Sequence, residues 1–172
     1  MGLDIKAVGQ IGSKVSDEYI EDPGLIYLFP WECSSGCLAQ HDGLGEGMYE
    51  YRPEIFYKRI GSYSYYNAFR QDLALFRFGK EPQHIWDNIE GFEGQPFVEL
   101  INFADDEGFI GPKTSAKLFR DFLRHNADFA ERCRAHFSIV GKPRKSLNFI
   151  VTYAKFLEAF RTAADFGVVK FL

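Results

Sequence analysis

The sequence predicts an α+β fold: a small, mainly antiparallel sheet with about three main helices packed on it, in one domain spanning residues 1–172. Three observations predict it. Strand-like segments cluster before the main helices, so the βαβ alternation of a parallel sheet is missing. Helical periodicity takes over after Gly61, and a short β-branched run, Val168-Val169-Lys170-Phe171, closes the chain where it can pair with the first strand. A chain of 172 residues fits one core, whereas two domains would leave each half near the lower limit for independent folding.

Each element has its own signal. Leu3-Asp4-Ile5-Lys6-Ala7 alternates apolar and polar residues, the mark of a half-buried strand. Leu25 to Phe29 is a short apolar run between Asp22-Pro23-Gly24 and Pro30 and reads as a second strand. Trp31 to Gly47 carries turn residues and no periodic face, so it reads as loop. Glu54 to Ile60 forms a third strand that ends at Gly61. Tyr66, Phe69, Leu73 and Phe76 then recur at helical spacing, with Ser62 or Ser64 as cap. Gly79 to Gly94 reads as irregular, and Pro96 ahead of Val98-Glu99-Leu100 favours a helical turn over 97–103. A long helix is predicted from Pro112 with Phe119, Phe122, Ala130 and Cys133 inward and an interruption near Asn126. A last helix, capped by Ser146, carries the stripe Ile150, Tyr153, Leu157, Phe160 and Ala164 and stops at Gly167.

Composition narrows the function classes. The chain has 18 Phe, 9 Tyr and 2 Trp, which points to a core of large flat side chains rather than to an aromatic ligand pocket. A net charge of -4 gives no general attraction to nucleic acid or anionic lipid. The stretch from Leu147 to Phe160 is too short and too polar to span a bilayer, and Asp4 interrupts any export signal, so a cytoplasmic location is expected. Three cysteines fit reduced thiols better than a disulfide frame.

Two segments carry the polar groups that could do chemistry. Arg59, Ser62, Tyr63, Ser64, Tyr66, Asn67 and Arg70 cluster where a strand turns into a helix, and free first-turn amides with two arginines can hold phosphate or carboxylate. The plainer reading is a capped helix with half-buried tyrosines. Asp105-Asp106-Glu107-Gly108 places acids just before a helix, where Asp105 and Glu107 could ligate a hard cation or act as acid and base. Acids at such a position are also what the helix dipole favours. An ion pair from Arg59 or Arg70 to Asp105 or Glu107 would join the two segments into one site or one clasp. Cys33, Cys37, His41, Cys133 and His136 contain a zinc-type donor set, but their spacing is too loose to assign a metal, and no cofactor is indicated. None of His41, His84, His125 and His136 belongs to a recognisable catalytic pattern; all are expected in loops or on helix surfaces. Arg132, Arg134, Lys142, Arg144 and Lys145 form a basic stretch that reads as solvated surface, which makes a nucleic-acid partner the weaker reading.

Arg59-Ile60-Gly61-Ser62-Tyr63-Ser64-Tyr65-Tyr66-Asn67, Glu99 through Gly111-Pro112 to Leu118, and the opening Met1-Gly2-Leu3-Asp4-Ile5 resemble a family of small uncharacterised proteins carried by bacteriophages, prophages and bacteria. The resemblance includes Asp105 and Glu107 but not Asp106; Trp31 to Leu38 departs from it. It implies a phage-linked cytoplasmic protein and no known activity; together with the absence of a specific catalytic motif, it leads us to expect a noncatalytic accessory factor that binds a host or phage protein. It assigns no catalytic residue. The alternative is an enzyme or binding protein for a small phosphorylated or nucleotide-like anionic ligand, held by the Arg59–Arg70 and Asp105–Glu107 segments.

Overall fold

A computed structural model describes residues 2–30, 40–52, 54–104, 108–137 and 144–172. Strands β1 (Leu3–Val8), β2 (Ile11–Ser16), β3 (Leu25–Leu28), β4 (Gly47–Tyr51) and β5 (Ile55–Gly61) come first. Helices α1 (Tyr63–Phe78), α2 (Pro82–Trp86), α3 (Ile89–Phe92) and α4 (Val98–Asn102) follow, then the two-residue strand β6 (Phe109–Ile110). The chain continues through α5 (Pro112–Arg124), α6 (Asn126–Phe137) and α7 (Arg144–Ala163) to the closing strand β7 (Val168–Phe171). The strands form two antiparallel sheets rather than one: β5-β1-β7-β6 and β2-β4-β3. No helix among the described residues is long and apolar enough to cross a membrane.

The pleat of β1 explains the layering. Leu3, Ile5 and Ala7 point to one face and are fully buried under the helices, together with Ile60, Val169, Phe171 and Ile110. That face meets a helical layer rich in aromatic rings. Phe69 stacks on Phe156 at 5.1 Å, Phe122 meets Tyr153 edge-on at 4.6 Å, and Tyr66 and Phe156 both pack on Phe171. The opposite face, at Val8, Val168 and Phe109, is covered by Ile26, Leu28 and Tyr49 of the three-stranded sheet. Helices, larger sheet and smaller sheet therefore make three layers.

Several elements differ from their sequence signals. Gly12, Ser13 and Lys14 leave β2 almost wholly exposed, so it has no apolar alternation to read. The loop reading ends at Gly47, where β4 begins and buries Met48 and Tyr49. Two short helices occupy the Gly79–Gly94 stretch, each anchored by one or two apolar residues. Ala130 is exposed, and the inward residue of α6 is Phe129, stacked on Tyr153 at 3.8 Å. In α7 the buried stripe is Phe149, Tyr153, Phe156, Phe160 and Ala163, one residue's rotation from the expected one. Both stripes are apolar, and the aromatic partners on α1 and α5 select the phenylalanine face. Helix α7 begins at Arg144, so Ser146 lies within its first turn rather than capping it.

Near α4, Phe97 adopts a left-handed conformation (φ 67°) that costs a non-glycine residue about 1 kcal/mol or more. Its amide donates to the Asp121 carboxylate at 3.1 Å, and Lys117 bridges Asp121 (3.0 Å) and Glu99 (2.5 Å). This little-exposed ion cluster fixes α4 against α5.

Candidate functional site

The two glycine-led segments reach the same end of the larger sheet. Gly61 pairs with Leu3 at the close of β5, Asp4 and Leu172 exchange backbone hydrogen bonds, and Gly108 accepts from the Phe171 amide. Gly61 and Gly108 are thus separated by three interstrand steps, roughly 14 Å. The second segment is not a single helix start. Gly108 (φ 90°) leads into β6, and α5 begins only after Gly111, at the far end of that strand.

Ser62 caps α1: its hydroxyl accepts from the Tyr65 amide at 3.2 Å, as expected for a serine N-cap. The Ser62 and Ser64 hydroxyls are 2.9 Å apart and both residues are exposed, as is Tyr63. Tyr66, by contrast, is fully buried and donates its phenol to the Phe103 carbonyl at 2.9 Å. Arg70 donates to the same carbonyl at 2.9 Å and to Asn67 Oδ1 at 2.7 Å, with Tyr66 and Trp86 rings beside its guanidinium. Tyr66, Asn67 and Arg70 therefore clamp α1 to the carboxyl end of α4, where unpaired helix carbonyls attract donors. This clamp ends two residues before Asp105. Asp105, Asp106 and Glu107 themselves lie outside the described residues.

Arg59 points elsewhere. Its guanidinium faces Asp4 at 3.6 Å, and Tyr57 donates to the other Asp4 oxygen at 2.9 Å. That hydrogen bond to a carboxylate pushes the Tyr57 phenol above its ordinary value. The carbonyl of Arg59 accepts from Lys155 of α7 at 2.7 Å. Burial, with Lys58 adding like-charge repulsion, lowers the Lys155 ammonium.

The start of α5 is filled by the chain itself. Asp42, in a left-handed turn (φ 56°), accepts from the Thr114 amide at 2.8 Å and the Thr114 hydroxyl at 3.1 Å. Gly111 passes so close that a Cβ there would sit 2.6 Å from the His41 carbonyl oxygen. His41 is buried, not a loop-surface histidine, and its ring packs on Phe109 at 4.7 Å and Phe103 at 6.4 Å. A ring from a polar turn thereby seals the sheet beside β6.

Cys33 and Cys37 lie outside the described residues, as do Lys142 and the side chains of Cys133, Arg134, His136, Arg144 and Lys145. Among the described residues no group of three His, Cys, Asp or Glu converges on a metal position. Arg132, the described member of the basic stretch, lies over the Phe76 and Phe149 rings. A groove of about 410 Å³ runs between α1 and α7, with Tyr65, Asp72, Leu75 and Asn148 along it.

The sequence reading missed Asp42, Lys155 and Lys170. Lys170 crosses the interior between the sheets and donates to the Tyr27 carbonyl at 2.8 Å, with burial and nearby Lys6 lowering its ammonium. These residues act across 72, 96 and 143 positions, and no local pattern announces such contacts. No family model, curated protein or solved structure matches the chain.

Proposed function

We propose that this chain is a noncatalytic accessory protein, phage-associated and cytoplasmic, that works by binding a host or phage protein. The observation that carries this reading is the internal use of the strongest polar groups at both helix starts. Asp42 occupies the Thr114 amide and hydroxyl at the start of α5, and Arg70 is spent on the Phe103 carbonyl and Asn67. The resemblance to phage-carried proteins supplies the phage link. Bait capture from bacterial lysate, followed by reconstitution with the purified partner, tests the reading. A stoichiometric complex is expected; no partner, together with turnover of a nucleotide or sugar phosphate, would sink it.

A second reading keeps a small anion at the α1 start. Exposed Ser62 and Ser64 hydroxyls and a largely exposed Arg59 guanidinium lie within five residues of one another in the sequence there, a donor set that suits phosphate. Tyr63, Tyr66, Asn67, Arg70, Asp105 and Glu107 would complete that site only if the Arg70 clamp opened. Inorganic phosphate titrated against backbone amide shifts of Tyr63 and Ser64 decides it, since unmoved shifts dismiss the anion.

A further inference from the structure

The hydrogen-bond parity of the larger sheet leaves one edge with a definable recognition surface. Asp4 exchanges backbone bonds with Leu172 of the closing segment, so the even-numbered residues of β1 serve β7 and its odd-numbered residues serve β5. On β5 the complementary set faces inward: Glu54 accepts from Gly9, and Phe56 and Lys58 lie opposite Ala7 and Ile5. Ile55, Tyr57 and Arg59 therefore aim their N–H and C=O groups away from the sheet. Among these, the Arg59 carbonyl is taken by Lys155. Among the described residues the others have no strand beside them, because β5 is the outermost strand of its sheet.

The other outer strands are shorter, irregular or partly occupied: β2, on the edge of the smaller sheet, is broken by two register shifts against β4. β6 is two residues long and continues into the Gly111 amide, which donates to the Gln40 carbonyl at 2.7 Å. The Tyr27 carbonyl on the edge of β3 is held by Lys170. β5 is longer, at seven residues, and Ile55 and Tyr57 are each about half exposed (50% and 54%). An open edge of this kind is a template for another strand.

We infer that β5 accepts an extended, acidic segment of a partner protein as an added strand along Ile55–Arg59. The row of outward amides and carbonyls specifies an extended backbone, which recognises through main-chain hydrogen bonds. Charge specifies the acidity. The cations Lys58, Arg59 and Lys155 at this edge outnumber the acids Asp4 and Glu54, and Asp4 is already shared by Arg59 and Tyr57. Lys58 and Lys155 approach on the helical side closely enough for Lys58 to depress Lys155, with Arg59 on the other side. A second copy of the chain would bring both sets of cations to one seam, so complementarity favours a different, acidic partner. This assignment rests on the protein-binding reading and names its surface.

The test uses two labelled ten-residue peptides, alternating valine with glutamate and valine with lysine, titrated against the full chain by fluorescence anisotropy. The glutamate peptide is expected to bind and the lysine peptide to fail over the same concentrations. Tyr57→Pro deletes an outward N–H without touching the bonds to β1 and should weaken binding at least tenfold. Tyr57→Phe, which loses the contact to Asp4 alone, should stay within about twofold, and Lys58→Glu should lose severalfold. Hydrogen exchange on the unmodified chain guards against a misfolded variant: the Ile55 and Tyr57 amides should slow when the glutamate peptide is added. Binding of neither peptide, equal binding of both, or unchanged exchange at Ile55 and Tyr57 overturns the proposal. So does a concentration-dependent dimer that Tyr57→Pro dissociates, which would give the edge to a second copy. If the peptides fail while a captured partner still binds Tyr57→Pro, the edge assignment falls and the accessory reading stands.

Discussion

The two faces of the four-stranded sheet solve the same burial problem with different chemistry. On the helical face, interlocked aromatic rings from α1, α5 and α7 join Leu3, Ile5 and Phe171 in one continuous cluster. On the other face a small cluster around Val8, Phe109 and Val168 meets the three-stranded sheet, and the surface beside it carries Asp4, Lys6, Tyr57 and Arg59. The first face is devoted to stability. The second gives up apolar area to polar side chains and a half-buried lysine, Lys170, and it borders the open edge.

Deleting one buried side chain from each cluster should expose that contrast most strongly. Phe156→Ala removes a fully buried ring that contacts Tyr66, Phe69, Phe160 and Phe171, and should cost about 3–5 kcal/mol. Leu28→Ala, in the smaller cluster, should cost about 2 kcal/mol, the low end for a buried leucine. Urea unfolding measures both, and a larger loss at Leu28 would reverse the ranking of the faces.

The turn that ties the faces together gives a smaller effect. His41 contacts Phe103 of the helical cluster and Phe109 of the other, and Asp42 holds the α5 amide beside it. Asp42→Ala should cost about 1 kcal/mol, the usual value of a lost helix cap. Faster hydrogen exchange confined to the first turn of α5 would locate that loss.

The smallest difference is in alkaline pH dependence. Lys170 binds its proton less readily folded than unfolded, where it returns to 10.5. Between its lowered folded value and 10.5 the unfolded chain holds more protons, so this residue makes stability rise with pH. Tyr57 has the opposite sign: its folded value is raised above 10.0, so its share is present below pH 10.0 and lost as pH climbs through the folded value. Thermal melts across pH 8 to about 11 should therefore show a lower alkaline slope for Lys170→Met and a higher one for Tyr57→Phe. Identical slopes would remove Lys170 from the contrast.

Local periodicity made the helical face legible. The stripe Tyr66, Phe69, Leu73 was correct because α1 buries one face only. In α7 the pattern was ambiguous, since Ile150 and Leu157 compete with Phe149 and Phe156, and only partners on other elements settle the rotation. The smaller sheet left little trace: β2 is exposed and β4 follows directly on turn residues. At the helix starts, Ser62 was readable as a cap because the capped amide is three residues away. The role of Asp42 was not, because loop closure over 72 positions has no sequence signature.

The central pairing of β1 with β7 has a consequence for synthesis. Asp4 and the segment through Leu172 must find each other across nearly the whole sequence, a contact of very high order. Until residue 171 has left the ribosome, β1 and β6 lack the strand that separates them in the finished sheet. The nascent chain therefore holds β1 with one side unsatisfied until β7 emerges, and the sheet can close only when β7 slides between its two neighbours. For this fold, completion is an insertion rather than an addition at the margin.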